Sequence, residues 1–357
     1  MTRRILLTAW SGLLLLSCTD PVSRTSQDLI ELERVWQYMK VFSLYQDRIP
    51  SHGAALSFDD PRQLVDAIGD TIKGYDAPLG AYSETCTNGE ALSKRSSSRM
   101  IRQGSVIYQR LTDSTIFVRI ETFHDNTLTD CMHAFDDSVL SAPNLILDLT
   151  GNGGGYLDQC TSAVELFLPS ARPYITTLYR RNIFTDGDTG TAQVDWVSRR
   201  DGDGWEGKKI VILIDSRTAS SAEMMAVALR DALPDSVTLL GTTSFGKGIG
   251  QYEFCFQSSS GAQLRLTGFH FFRISGDQRD YHETGIFPDH RVSGGKADLV
   301  QAAGSLLEQD FASHVSYHEL REIFGSQINV NPRGVSACEV RVDVDDEVVF
   351  DRYFYRN

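Results

Sequence analysis

The sequence has no apolar run long enough to form a permanent transmembrane helix. Such a helix needs about 20 consecutive apolar residues, whereas the apolar segment near the start of the chain reaches only from Ile5 to Leu16. No later segment approaches the required length. We therefore expect no part of the mature chain to cross a lipid bilayer.

Positive charge is also scarce in this chain. There are 34 Lys and Arg residues against 47 Asp and Glu residues, which gives a formal net charge of −13 at pH 7. A protein that binds nucleic acid needs clustered Lys and Arg to neutralise the phosphates. The charge balance therefore argues against a nucleic-acid partner.

Cysteine pairs with a recognisable spacing are missing too. The cysteines after residue 18 are odd in number and widely spaced, and none forms a Cys-x-x-Cys pair; they are Cys86, Cys131, Cys160, Cys255 and Cys338. This pattern predicts neither a disulfide framework nor a zinc site. One or two disulfide bonds remain open in an oxidising compartment.

The first residues have the features of a secretory signal. Arg3 and Arg4 precede the apolar segment, which ends at Leu15-Leu16-Ser17-Cys18 and there resembles the lipobox of bacterial lipoproteins. The resemblance implies that residues 1–17 are removed and that Cys18 is acylated. Cys18 would then anchor the protein to a membrane of the cell envelope, on the periplasmic or outer-membrane face. The alternative is an ordinary signal peptide with a chance cysteine.

Hydrophobic periodicity predicts a helical part followed by an alternating part. Apolar residues recur at helical spacing over Leu29–Tyr45, a second helix is predicted from Pro61 to Ile72, and the polar stretch Asn88–Arg102 is predicted to be a loop. The expected units are a signal peptide (1–17), a tether with a helical unit (18–85), a core (86–310) and a C-terminal extension (311–357).

In the core, predicted strands alternate with predicted helices. The strands are Ser105–Arg110, Thr115–Ile120, Asn144–Leu149, Tyr174–Tyr179, Lys209–Asp215, Val237–Leu240, Gln251–Phe256 and Ala262–Phe272. The helices are Leu128–Leu140, Ser162–Leu168, Ser220–Leu233 and Lys296–Gln309. This alternation predicts an α/β fold with a partly parallel sheet covered on its faces. Glu339–Val344 and Glu347–Tyr355 are predicted to form a hairpin.

Ser220 is the first candidate for chemistry. The stretch from Val211 to Glu223 is typical of a buried strand, a short polar turn and a helix that begins near Ser220. A serine at such a turn is accessible to substrate, and the unpaired amides of the helix start are the donors that an oxyanion needs. The structural alternative is that Ser220-x-x-Glu223 is only a capping box.

Lys247 is the second candidate, because glycines flank it within the stretch from Gly241 to Gln251. Glycines let the backbone approach another element closely, and a lysine whose pKa is lowered by its surroundings can act as a base. One alternative is an ordinary solvated loop lysine. A phosphate-binding loop is a poor alternative, since Gly248 stands where that motif has a Ser or Thr after its lysine.

The third candidate is the glycine-rich turn that follows the strand around Leu145–Leu149. Four of the residues from Gly151 to Gly155 are glycine, which indicates close backbone approach or left-handed turns, and exposed amides there are candidate donors. The dinucleotide fingerprint G-x-G-x-x-G is not met, because Tyr156 stands at the place of its third glycine.

The order of these three segments closely resembles the C-terminal processing peptidases, also called tail-specific proteases, which are Ser–Lys serine peptidases. Their glycine turn reads Asp-Leu-Arg-x-Asn-Pro-Gly-Gly and is similar to residues 148–155. Their nucleophile stands three residues before a glutamate, as Ser220 does. Their base is the lysine of Phe-Gly-Lys-Gly, as Lys247 is, and a glutamine four residues later corresponds to Gln251. A later pattern, Gly-Ile-x-Pro-Asp, is matched by Gly285–Asp289.

The resemblance spans roughly Leu29 to Gln309. It implies an α/β fold with a crotonase/ClpP-like β-α-β spiral core, a small N-terminal helical unit and a C-terminal β-hairpin extension. It also implies that Ser220 is the nucleophile, that Lys247 is the general base and that Gln251 holds the lysine in place. The expected substrate is a polypeptide, with no cofactor and no metal.

The resemblance further implies an oxyanion site. The amide of Ser221 and an amide of the glycine turn would bind the oxyanion, with Gly154 as the main candidate and Gly153 beside it. No histidine is needed for this mechanism. A Ser–His pair that uses His270 or His290 is an alternative, although both are better explained as polar residues of a strand or loop.

Several features depart from the family pattern. Most members carry a PDZ domain before the core, and the roughly thirty residues between Ser83 and Thr115 are too few for one. Thr150 replaces the usual arginine and Gly153 the usual proline, and the bulk of Tyr156 stands next to the glycine turn. Two other functions stay open: a non-catalytic binding module on the same fold, and a crotonase-like acyl-transfer enzyme that uses a coenzyme A thioester.

Overall fold

The computed structural model describes ten stretches of the chain. They are residues 26–67, 100–181, 190–200, 205, 207–255, 263–276, 279–309, 311–324, 337–344 and 347–355, apart from residues 45, 60 and 136. The expected signal peptide, Cys18 and most of the predicted loop Asn88–Arg102 lie outside the described residues.

The described elements occur in the following order. The helices are α1 (Ser26–Phe42), α2 (His52–Ala55), α3 (Pro61–Ala67), α4 (Thr127–Ala134), α5 (Asp137–Leu140), α6 (Leu157–Val164), α7 (Ser221–Ala232), α8 (Lys296–Leu307), α9 (Phe311–His314) and α10 (Tyr317–Phe324). The strands are β1 (Ile101–Gln103), β2 (Val106–Arg110), β3 (Thr115–Ile120), β4 (Asn144–Asp148), β5 (Pro173–Arg180), β6 (Thr191–Val197), β7 (Lys209–Ile214), β8 (Val237–Gly241), β9 (Ile249–Cys255), β10 (Gln263–Phe272), β11 (His290–Arg291), β12 (Ala337–Val344) and β13 (Glu347–Tyr355).

The larger sheet has the strand order β1-β2-β3-β4-β7-β8-β11. Its first three strands are antiparallel, and the strands from β3 to β11 are parallel. β4 and β7 are nearly continuous apolar runs, because the sheet is covered on both faces. Helices α4, α6 and α7 pack on one face and α8 to α10 on the other.

This topology brings the three candidate segments together. The glycine turn follows β4, the Ser220 turn follows β7, and the lysine loop follows β8. Because these neighbouring strands are parallel, their carboxyl ends lie at one edge of the sheet, where α/β proteins usually place their sites. Segments far apart in sequence therefore meet in space.

The smaller sheet is antiparallel, with the order β6-β5-β10-β9, and it carries Gln251 on β9. The N-terminal helical unit packs against this sheet. The amide of Leu44 donates to the Thr267 carbonyl (2.8 Å) beside a β-bulge. The ring centroid of Phe42 lies 5.4 Å from that of Tyr252, the residue after Gln251. The helical unit thus braces the strand that carries Gln251.

The predicted α/β fold is confirmed, and so are the N-terminal helices and the C-terminal hairpin, in which Ala337 pairs with Tyr355. Two helix predictions were wrong in their bounds. The predicted helix Leu128–Leu140 is two short helices, α4 and α5. The predicted helix Ser162–Leu168 begins earlier, as α6, because the glycine turn ends at Tyr156 and the helix starts directly after it.

Three strands were not predicted from the sequence. β1 begins at Ile101, within the segment Asn88–Arg102 that was predicted to be a loop. β6 is an edge strand in which apolar Ala192, Val194 and Trp196 alternate with polar residues, so the sequence does carry the alternation that indicates a strand. β11 has only two residues and depends on its pairing with β8.

The expected boundary at residue 310 does not match the packing. Phe311, Leu320 and Phe324 are buried in one cluster with Phe117 of β3 and Ile146 of β4. Helices α9 and α10 therefore belong to the core and cover a face of the larger sheet. A sequence reading missed this because both helices are short.

Candidate functional site

Ser220 lies at a sharp turn between β7 and α7. Its φ of +55° is in the left-handed region, which is uncommon for a residue with a side chain. Strained residues of this kind cluster at functional sites, and a strained strand-to-helix turn is a known way to present a nucleophilic serine. The capping box that the sequence left open is present through Glu223, whose carboxylate accepts from the Ser220 amide. Capping and a role for Ser220 as nucleophile are compatible, because this cap bond uses the amide of Ser220 rather than its hydroxyl.

Glu223, three residues into this turn, connects the Ser220 turn to the lysine loop. Its Oε2 accepts from the Ser220 amide (2.9 Å) and from the Lys247 amide (2.8 Å). Its Oε1 accepts from the Gly246 amide (2.6 Å) and from the Ser244 hydroxyl (2.5 Å). One side chain therefore sets the position of both candidate catalytic residues.

The electrostatics of Glu223 follow from its burial. The side chain is fully buried, and burial raises the pKa of its carboxyl above the ordinary value, while the hydrogen bonds from Ser244, Gly246, Lys247 and Ser220 oppose that rise. Four donors fill the acceptor positions of one carboxylate. Their convergence compensates the cost of placing a charge in the core.

Lys247 directs its amine toward β9. Its Nζ donates to the Gln251 Oε1 over 3.3 Å, which is the contact that the family resemblance implied. The lysine loop is also tied to the Ser220 turn directly, because the Phe245 amide donates to the Thr218 carbonyl (3.0 Å). The backbone of the loop is thus held from two sides.

The glycine turn lies directly against Ser220. A Cβ added to Gly154 would stand 2.8 Å from the Ser220 Cβ and 2.9 Å from the Ala219 carbonyl oxygen, and Gly154 has a φ of +102°. Only glycine satisfies both conditions. The Ser221 hydroxyl donates to the Gly155 carbonyl (2.9 Å) and fastens the turn to α7.

The expected role of Gly154 as an oxyanion donor does not fit its hydrogen bond. Its amide donates to the Oδ1 of Asn152 (2.9 Å), so in this conformation that proton is already used inside the turn. The buried Asn152 also binds the Ile120 carbonyl and accepts from the Ala219 amide. Within the described chain, no hydrogen bond is assigned to the amides of Ser221 or Gly153.

Thr150, which stands where the family has arginine, lies beside a carboxylate that pairs with cations from other elements. The Oδ1 of buried Asp148 accepts from the amide and the hydroxyl of Thr150. Its Oδ2 lies 2.7 Å from Arg119 of β3 and 2.8 Å from Lys296 of α8. Two cations from other elements therefore pair with the carboxylate that begins the glycine turn.

The histidines of the alternative Ser–His pair lie in other environments. His270 on β10 contacts the carboxylate of Asp280 (2.9 Å) and stacks on Phe272. His290 begins β11 and is exposed. Neither has a hydrogen bond to Ser220 among the described residues.

Three supporting residues are not indicated by the sequence. It predicts only a capping role for Glu223, and it predicts no role for Asn152 or Ser244. Their contacts join segments that are distant in sequence, so no local pattern indicates them.

Other kinds of site receive no support from the described residues. Among them, no helix is long and apolar enough to cross a membrane, and no cluster of three or more His, Cys, Asp or Glu side chains is suited to a metal ion. Cys131 and Cys160 are buried free thiols, and burial raises the pKa of Cys131 to about 12. A neutral buried thiol is a poor nucleophile.

Residues 114–292 match the family model described as Peptidase family S41. The chain is 28% identical to the carboxy-terminal processing protease CtpA of Bacillus subtilis over 184 residues, which cover 51% of this chain and 36% of that protein. It is 30% identical to the carboxyl-terminal-processing protease of Synechocystis sp. over 177 residues, or 49% of this chain and 37% of that protein. The match thus spans little more than a third of each relative.

A solved structure of a lipoprotein from Streptococcus agalactiae has a similar fold. The TM-score is 0.53 at 16% identity, and the match covers 82% of this chain and 99% of that one. At this identity the likeness shows the fold alone.

The packing of Gly154 predicts a position-specific loss of stability. Gly154→Ala and Gly207→Ala both place a side chain at positive φ, which lowers the free energy of unfolding by about 1–2 kcal/mol. A Cβ at Gly207 meets nothing within 4 Å, whereas at Gly154 it meets the Ser220 turn. In urea unfolding, we expect the free energy of unfolding of Gly154→Ala to fall by about 1–3 kcal/mol more than that of Gly207→Ala. Equal losses in the two variants would contradict this packing.

Proposed function

The chain belongs to peptidase family S41, and on this premise we propose that it is a serine peptidase that hydrolyses peptide bonds of polypeptides. The observation that carries the proposal is the Glu223 carboxylate, which binds the amides of Ser220 and Lys247 together. A carboxylate in this place holds a strained serine and a lysine at one end of the sheet. That arrangement supports a Ser–Lys pair.

In the proposed mechanism, Ser220 is the nucleophile and Lys247 the general base. Neutral Lys247 takes the hydroxyl proton as the Ser220 Oγ bonds to the substrate carbonyl carbon. The tetrahedral intermediate then expels the amine, which takes the proton back from Lys247. A water molecule attacks the acyl-enzyme in the same way and releases the acid. Gln251 orients the lysine through the contact at Nζ.

The oxyanion site needs a revised assignment. We assign one donor to the amide of Ser221, at the positive end of the α7 dipole. The second donor comes from the glycine turn, where Gly153 supplies an amide that the proline of the family pattern lacks. The Gly154 amide serves only if it leaves Asn152. One such donor is worth about 2.7–4 kcal/mol of transition-state stabilisation in other enzymes.

The proposed substrates are unfolded or tail-exposed proteins of the cell envelope. The support is the family and the names of the relatives, which describe carboxy-terminal processing by those proteins. The non-catalytic binding module is the competing function. It predicts no hydrolysis by any form of the chain.

Removal of either proposed catalytic residue should abolish hydrolysis. We expect the mature chain to cleave an unfolded protein, and we expect Ser220→Ala and Lys247→Ala to lower the rate by at least about a thousandfold. The wild-type rate should rise with pH as the base loses its proton. The matched controls are Ser305→Ala and Lys209→Ala, which change exposed residues of α8 and β7.

The outcomes separate the two functions. Cleavage that persists in Ser220→Ala would show that another residue is the nucleophile. An absence of cleavage in every form, together with no reaction of Ser220 with a fluorophosphonate, would support the binding module instead.

We further propose that the chain is a lipoprotein anchored through Cys18 to a membrane of the cell envelope. The support is the segment Leu15-Leu16-Ser17-Cys18 after a short apolar run. Expressed in a bacterium with labelled fatty acid, the wild-type chain should incorporate label and sediment with membranes. Cys18→Ala should do neither, and Cys338→Ala should behave as wild type. Equal labelling of Cys18→Ala would refute the anchor.

A further inference from the structure

A cavity of about 300 Å³ lies beyond the far end of α7, away from Ser220. It is lined by Arg230, Arg273, Gly276, Tyr281, Ile286, Phe287 and Pro288. Arg230 stands ten residues after Ser220 in the sequence. Arg230 therefore lies about 15 Å along the helix from Ser220, although other cavity residues lie closer to the proposed catalytic groups.

The carboxylate of Asp289 orients the guanidinium of Arg230. The Arg230 Nη2 contacts the Asp289 Oδ1, and the Asp289 Oδ2 accepts from the Leu239 amide (2.8 Å). The Nε and Nη1 donors of Arg230 have no hydrogen-bond partner among the described residues, and 27% of its side chain is exposed. Part of this guanidinium is thus available to a ligand.

Arg273 presents a second guanidinium to the same cavity. Its Nε and Nη2 donate to the carboxylate of Asp231, which is almost completely buried. Its Nη1 has no assigned partner in the described part of the chain. Two arginines, each held by an aspartate at one side, therefore keep spare donors at one site. Such donors suit a carboxylate, which accepts from guanidinium groups at several positions.

The remaining walls are apolar. The side chain of Phe287 is 54% exposed, and Ile286 and Pro288 flank it. A volume of about 300 Å³ is at the lower end of the range for ligand sites, and it is large enough for one amino-acid residue. The cavity thus combines cationic donors with an apolar surface on the scale of a single side chain.

We propose that this cavity binds the C-terminal residue of a polypeptide, through its free α-carboxylate and an apolar side chain. Arg230 and Arg273 bind the carboxylate, and Phe287 contacts the side chain. The identity of the ligand rests on the proposed peptidase function, since a polypeptide tail is then the molecule that the protein meets.

The cavity shares two residues with the network around Glu223. The Ile286 amide donates to the Ser244 hydroxyl (2.7 Å), which in turn donates to Glu223. Tyr281 is buried, and its hydroxyl has no partner among the described residues. Burial is the main cause that raises the pKa of this hydroxyl, and the charge of Glu223 is the second. A bound residue therefore touches groups one contact away from the carboxylate that positions Ser220 and Lys247.

The test measures binding without cleavage, in the full mature chain carrying Ser220→Ala. The probe is a fluorescent hexapeptide that ends in valine, made with a free carboxylate and with a C-terminal amide. We expect the free acid to bind at least about tenfold more tightly than the amide. Arg230→Gln should remove that difference. The control is Arg102→Gln, which alters an exposed arginine paired with Glu121. This variant should preserve the difference in affinity between the free acid and the amide.

A second variant tests the apolar wall without changing charge. Phe287→Ala should weaken binding of the valine acid and leave that of a glycine-ended acid unchanged. Equal affinity for the acid and the amide in the Ser220→Ala chain, or a preference that survives Arg230→Gln, would overturn the proposal. Because binding is read in an inactive chain, a failure of the peptidase function would appear separately, as absent hydrolysis by the wild type.

Discussion

The buried carboxylate of Glu223 is the interaction on which the site depends. Two loops reach it from different strands of the sheet: the turn after β7 presents the Ser220 amide, and the loop after β8 presents Ser244, Gly246 and Lys247. A carboxylate has a limited number of acceptor positions, and here all are occupied. A shift of either loop would leave buried donors without a partner, which is costly in a core. The relative position of the two loops is therefore strongly constrained.

Other contacts support this arrangement from the outside. Asp148 forms ion pairs with Arg119 and Lys296 at the start of the glycine turn, and that turn packs on Ser220. The N-terminal helices pack on the smaller sheet next to Gln251, so they brace the partner of the proposed base. The parallel order of β4, β7 and β8 is what places these supports at one edge.

Much of the architecture could be predicted from the sequence because the relevant signals are local. The apolar runs of β4 and β7 indicate a covered parallel sheet, and the motifs around Ser220 and Lys247 resemble one family in order and spacing. The α/β core with a partly parallel sheet is confirmed. The Lys247 Nζ lies 3.3 Å from the Gln251 Oε1, and the catalytic role of this pair stays a prediction.

What the sequence could not predict depends on contacts between distant segments. Glu223 was explained as a cap because only its neighbour in sequence, Ser220, was visible. The engagement of the Gly154 amide by Asn152 follows from how the turn folds back on itself, and no residue pattern indicates it. The burial of Phe311 under the larger sheet likewise depends on tertiary packing, so the expected boundary at residue 310 was misplaced.

The most direct test of this account is the rate at which a fluorophosphonate modifies Ser220 when Glu223 is replaced by glutamine. Glu223→Gln keeps the shape of the side chain and removes its charge, and Glu322→Gln is an exposed control on α10. If Glu223→Gln does not fold, the substitute variant is Ser244→Ala, which removes only one of the donors to the Glu223 carboxylate. We expect the folded Glu223→Gln variant to react about a hundredfold more slowly than wild type, because the serine and its base lose their alignment. Reaction of that folded variant at the wild-type rate would contradict it.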